Sequence, residues 1–233
     1  MSDVLAFPAA VLIGLWLNAA QSGSVTSTDC ANAIETVADQ FDVNDASDSA
    51  DSGISSWLGL VSNVISARSP VAVGLPVDGD PSGVPIAVLS RIDREAGVVS
   101  INPNLLLGKS TSGIWEVFTA ENKVIHYDLT QTRRSLAERI TSAAKQLAAS
   151  DLVGDEAEIV KNLNEFKSFH LPPHLSKRSA DALELASRIL IISRGAIVNT
   201  NALHSPSLDQ LRVRTFEELI LQSRTVLQSV VTE

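Results

Sequence analysis

Gly108-Lys109-Ser110-Thr111 has the tail of a phosphate-binding loop. A working loop of this kind reads G-x-x-x-x-G-K-[ST] and lies between a strand and a helix. Its glycines let backbone N–H groups wrap the phosphates, and the helix N-terminus adds its dipole. Pro103 stands where the first glycine is required, and Asn104, Leu105, Leu106 and Leu107 are bulky where small residues are wanted. Thr111-Ser112-Gly113 then leads into another strand-like run, not a helix. VIHYD, ending at Asp128, imitates the acidic strand end that would hold magnesium, but no crossover helix precedes it. The stretch reads as a connector between two hairpins with Lys109 exposed. No nucleotide or other cofactor is expected.

Three other groups of residues have types suited to chemistry. Asp42, Asp45, Asp48 and Asp51 lie in DVNDASDSADSG, where calcium ligands would be carboxylates. An EF-hand register fails from either start: Ala46 and Ser47 break the first, and position twelve falls on Gly53 or Gly59. His170 and His174 have i, i+4 spacing, but Pro172 and Pro173 rule out the helix that would aim both imidazoles one way. Cys30, His126 and His204 are available as further ligands without any ordering motif, so no metal is expected. His126 and Asp128 lie two apart on an expected strand and so share a face, the arrangement of a base and its orienting acid. Tyr127 and Arg133 beside them are the ligand-binding candidates.

Cys30 is the sole cysteine, so no internal disulfide forms; a reducing, cytoplasmic setting is expected. It falls on one helical face with Ile34, Val37 and Phe41, which makes it a core residue. The formal charge is −9, and residues 1–53 hold eight acids with no Lys or Arg. An acidic chain lacks the basic face that nucleic-acid binding needs. Basic residues gather later, at Arg133, Arg134, Arg139 and Lys145, and at Arg212, Arg214 and Arg224. Their expected role is a solvated helix surface, or contact with the acidic first quarter within one chain or across a dimer.

The composition, 45% hydrophobic and 19% charged, is that of a globular chain with a Leu, Ile, Val and Ala core. Residues 4–17, VLAFPAAVLIGLWL, are too short for a comfortable membrane span, and Asp3 stands where a signal peptide wants a base. They are expected to be a buried helix starting near Phe7 or Pro8, with an uncleaved signal or interfacial anchor as the alternative. A helix is expected with Ser27 or Thr28 as its cap, and another over 54–67 with Ile54, Leu58, Val61 and Ile65 inward. Short strands follow at 71–77, 84–92, 97–101, 113–119 and 123–128. Their close spacing demands antiparallel pairing. Helices return at 131–149, 152–169, 177–198 and after 207.

Helices, then strands, then helices make an α+β fold, with a small antiparallel sheet at about residues 71–128 packed with N-terminal helices and a C-terminal helical bundle. It is expected to be one domain over 1–233: an acidic helical part to 68, a β-rich middle over 69–128 and a helical part from 129. The expected function is that of a non-catalytic intracellular protein acting through a protein partner or as a homodimer. The alternative is an enzyme or small-ligand binder with its site near the 123–134 strand-to-helix junction.

Overall fold

A computed structural model describes residues 7–38, 56–68, 70–147, 156–173, 175–198 and 206–233. The fold is α+β. The chain divides into two compact units, one formed by Met1–His126 with His170–Ser176 and Thr232, the other by Tyr127–Phe169 with Lys177–Val231 and Glu233.

The first unit begins with helix α1, Ala9–Gln21. Pro8, extended at φ −66°, precedes it, where a ring that lacks an N–H removes no helix bond. Every α1 residue but Asn18 and Gln21 is buried, so this apolar run is a core helix. Each fully buried Leu or Ile contributes about 1.5–3 kcal/mol of transfer free energy. The two polar residues are held by carbonyls: the Asn18 amide donates to Val71 and the Gln21 amide to Val64, both at 3.3 Å. Among the described residues, no helix is long and apolar enough to cross a membrane.

Helix α2, Ser27–Glu35, is capped by Thr26, whose hydroxyl accepts the Asp29 N–H at 3.1 Å. The cap is thus one residue earlier than Ser27. Cys30, Ile34 and Val37 are buried, as their spacing predicts; Phe41 lies outside the described residues. Helix α3, Trp57–Ala67, is capped by Ser56. Its buried face is Trp57, Leu60, Val61 and Val64, while Leu58 is 47% exposed. The expected row through Leu58 and Ile65 is therefore corrected by one residue: the cap sets the phase, and Trp57 carries the larger apolar surface inward.

Four antiparallel strands form the sheet in the order β1-β2-β3-β4: Ala72–Gly74, Val98–Asn102, Leu105–Lys109 and Trp115–Thr119. Three expectations are corrected. Residues 84–92 are no strand but carry a one-turn helix α4, Ile86–Leu89, entered through Pro85. Residues 105–109, read as a connector, are β3. Residues 123–128 lie outside the sheet.

One sheet face buries Val98, Leu106 and Phe118 against Val84, Val88 and Ile92. On the opposite face, Trp115 meets Trp57 edge to face, with ring centroids 6.4 Å apart. The segment after β4 is pinned by Lys123 N–H donating to the Gly83 carbonyl at 3.2 Å. Gly83 has φ +78°, and a Cβ there would fall 2.0 Å from the Lys123 oxygen. Only glycine allows that approach.

The second unit is helical: α5 Leu129–Leu147, α6 Glu156–Ser168, α7 Lys177–Val198 and α8 Pro206–Val231. Ala143, Leu147, Ala196, Phe216 and Leu219 make one apolar cluster, with Ile140, Ile189 and Ile197 packed on it. On α7, Leu183, Ala186 and Leu190 are fully buried, while Ile192 is 39% exposed. Arg212 and Arg224 are buried at 7% and 1% exposure, which corrects their reading as surface bases. Arg139 and Arg214 both pair with Glu218, at 2.8 and 3.4 Å, and Arg134 pairs with Glu138 at 3.0 Å.

Candidate functional site

The hairpin of β3 and β4 decides what the Gly-Lys-Ser-Thr stretch is. Lys109 is the last residue of β3, in register with Trp115 of β4. The turn between them is closed by Ser110 N–H donating to Ile114 O at 2.6 Å and Gly113 N–H donating to Ser110 O at 2.9 Å. Gly113 takes φ +92° in this turn. Thr111 N–H donates to Arg91 O at 3.1 Å. The amides of Ser110, Thr111 and Gly113, which a phosphate cradle would need, are all engaged by carbonyls. A strand follows the turn, so no helix dipole faces it.

These same residues line a cleft of about 510 Å³ in the first unit. Its floor is apolar, with Phe7, Val37, Ile92 and Trp115 each no more than 8% exposed. Its rim carries Asp93, Arg94, Glu95, Lys109 and Thr111. The loop over residues 91–96 is stitched to the hairpin by Asp93 N–H donating to Lys109 O at 2.6 Å and by an antiparallel bridge between Ile92 and Ser110. Ala10 N–H at the start of α1 donates to Ala96 O at 3.0 Å, which ties the third wall. The walls are therefore set by backbone bonds rather than by side-chain rotamers.

The rim charges have different partners. The Asp93 carboxylate accepts the Glu95 N–H at 2.9 Å. The Arg94 guanidinium pairs with Asp78 at 2.8 Å. The Lys109 side chain, half-buried, makes no hydrogen bond or ion pair among the described residues. The Ser110 hydroxyl, 6% exposed, donates to Ile114 O at 2.9 Å, while Thr111 is exposed. A concave apolar floor with a few converging polar groups is the usual form of a binding site.

Residues singled out in the sequence are placed as follows. His126 is exposed on irregular backbone and belongs to the first unit. The strand that was to align it with Asp128 is absent, because Pro103, Asn104 and Gly83 bind the backbone of 120–123 away from the sheet ladder. Asp128 starts α5 instead: its carboxylate accepts the Gln131 N–H at 2.7 Å, and its carbonyl accepts the Thr132 N–H. Tyr127 is half-buried, and Arg133 is exposed on α5. His170 is exposed, and its carbonyl accepts the Trp16 indole N–H at 3.1 Å. His174, His204 and the acidic loop with Asp42, Asp45, Asp48 and Asp51 lie outside the described residues. Among the described residues, no three His, Cys, Asp or Glu side chains are grouped to hold a metal.

Cys30 is fully buried in the first unit, with its thiol donating to Trp16 O at 3.3 Å. Burial pushes it up to about 12 from 9.0, the reverse of what a nucleophilic thiolate needs. The cleft itself was not legible as a site. Its walls come from Phe7, Val37, the 92–96 loop and the 109–115 hairpin, four separated stretches joined only by the fold. The one available signal was a lysine ending a strand-like run. Comparison with protein-family models, curated proteins and solved structures gives no match for this chain.

Proposed function

We propose that this is a non-catalytic intracellular protein that acts by binding another protein, and that the cleft beside the β3–β4 hairpin is where the partner docks. The observation that carries the reading is the pairing of an apolar floor with a rim of both charge signs. An apolar centre with a polar margin is the anatomy of a protein interface. The backbone-stitched walls support it further, because a preformed site loses little entropy on binding. A cytoplasmic setting belongs to the same proposal and rests on the single cysteine.

Thr111→Trp tests it, since this exposed rim residue would fill the cleft mouth. Thr141→Trp, at an exposed position of α5, is the control. Each protein is immobilised and exposed to native extract, and retained proteins are quantified by mass spectrometry. A partner held by the wild type and by Thr141→Trp should fall about tenfold or more with Thr111→Trp, a loss of about 1.4 kcal/mol. Equal retention by all three removes the cleft as the docking site. A dimer of the wild type that Thr111→Trp dissociates would make the partner a second copy.

A further inference from the structure

We infer that the segment recognised in this cleft is a short peptide carrying an apolar side chain next to a carboxylate; this rests on the docking reading above. The Lys109 ammonium carries the argument. It ends β3 in register with Trp115, so the charge and the indole at the cleft floor stand on the same sheet face. The other rim ions have their own partners: Arg94 has Asp78, and Asp93 closes a turn on the Glu95 N–H. Lys109 has neither an ion pair nor a side-chain hydrogen bond among the described residues. It is half-buried, so the water that would hydrate it is partly excluded. A carboxylate brought beside it forms a charge-assisted hydrogen bond, stronger than a neutral one.

The floor fixes the second element of the ligand. Phe7, Val37, Ile92 and Trp115 offer carbon surface, and the volume of about 510 Å³ accepts one or two branched or aromatic side chains. A basic group placed beside Lys109 would meet a like charge.

A random heptapeptide library displayed on phage and selected on the purified protein tests this. Enrichment of Leu, Ile, Phe or Trp within two positions of Asp or Glu is expected. Lys109→Met keeps the aliphatic stem and removes the charge. It should weaken a synthetic selected peptide about tenfold or more, and remove the acid preference while leaving the apolar one. Lys109→Glu should turn the preference to Lys or Arg; circular dichroism and thermal melts of both variants confirm that they fold. Enrichment of apolar residues without acids, or an acid preference that survives Lys109→Met, overturns the carboxylate assignment and leaves the docking reading standing. No enrichment at all, with no octanoate binding either, overturns both. Sodium octanoate supplies the second arm: octanoate that binds through Lys109 where no peptide does moves the carboxylate to a small molecule and overturns the peptide assignment.

Discussion

The interiors of the two units are built differently. In the first, the buried polar residues among those described are Ser82, Ser100 and Ser110, all hydroxyls with partners. The other buried residues described in it are Leu, Ile, Val, Ala, Phe, Trp, Gly, Pro and one thiol. The helical unit buries Thr132, Ser179, Ser187, Ser193, Thr215, Ser223, Gln228 and Ser229, and adds Arg212 and Arg224. Many of these hydroxyls bond their own helix: Ser187 donates to Leu183 O at 2.6 Å, and Thr215 to Leu211 O at 2.7 Å. Arg212 donates to Ala196 O at 3.1 Å, near the C-terminal end of α7 where carbonyls lack helical donors. A guanidinium at a helix C-terminus gains from the dipole, yet Arg212, buried with no ion pair among the described residues, costs more than an apolar side chain would. A sheet with helices on its faces can be filled with carbon. Long helices in close contact need small residues, and serine serves where alanine would.

That contrast is open to measurement. The largest effect belongs to the dry interior. Leu17→Ala, fully buried on α1, should cost about 2–5 kcal/mol in urea unfolding. A loss below 1 kcal/mol would mean that this core collapses around the void and is not tightly packed.

The second effect is alkaline and also belongs to the first unit. The folded Cys30 thiol titrates near 12 and the unfolded one near 9.0. Between those values the unfolded state loses its proton first, so stability is intact below pH 9 and falls as pH rises towards 12. Relative to Cys30→Ala, the wild type should lose about 2 kcal/mol by pH 10.5. Parallel pH curves for the two proteins would show that the thiol is not desolvated.

The smallest effect belongs to the helical unit and has the opposite sign. The Ser223 hydroxyl is fully buried with no hydrogen-bond partner among the described residues. Ser223→Ala should therefore stabilise by about 1 kcal/mol. A loss on that substitution would show that the hydroxyl is satisfied and that the polar interior is as well sealed as the apolar one.

The class of fold was legible because helical and strand periods differ so plainly on either side of Arg68. Antiparallel pairing was legible from turn spacing alone. Residues 84–92 look strand-like because they are a short run with β-branched residues bounded by turns, yet Pro85 before Ile86 is equally a helix start. The strand Leu105–Lys109 lacks β-branched residues, and its end carries the Gly-Lys-Ser-Thr look-alike of a phosphate loop, so its sequence has no strand signal. One of the two buried arginines was legible in principle. Arg212 shares one 3.6-residue stripe with Phe216, Leu219, Ser223, Val226 and Val230, whereas Arg224 lies off that stripe and has no such periodic signal. The cleft had no local signature, because tertiary contacts alone join its walls.

The Gly83–Lys123 contact has a consequence for how this chain can vary. A backbone oxygen occupies the space of a side chain, so the alphabet at position 83 has one letter. Gly79 has nearly the same dihedral, +85°, and open space where its Cβ would be, so its alphabet extends to asparagine and aspartate. Two glycines alike on a Ramachandran map thus hold different amounts of information. The richer of the two fastens the segment leaving β4 to the loop before α4, and of these two letters it is the one that descendants of this sequence could change least.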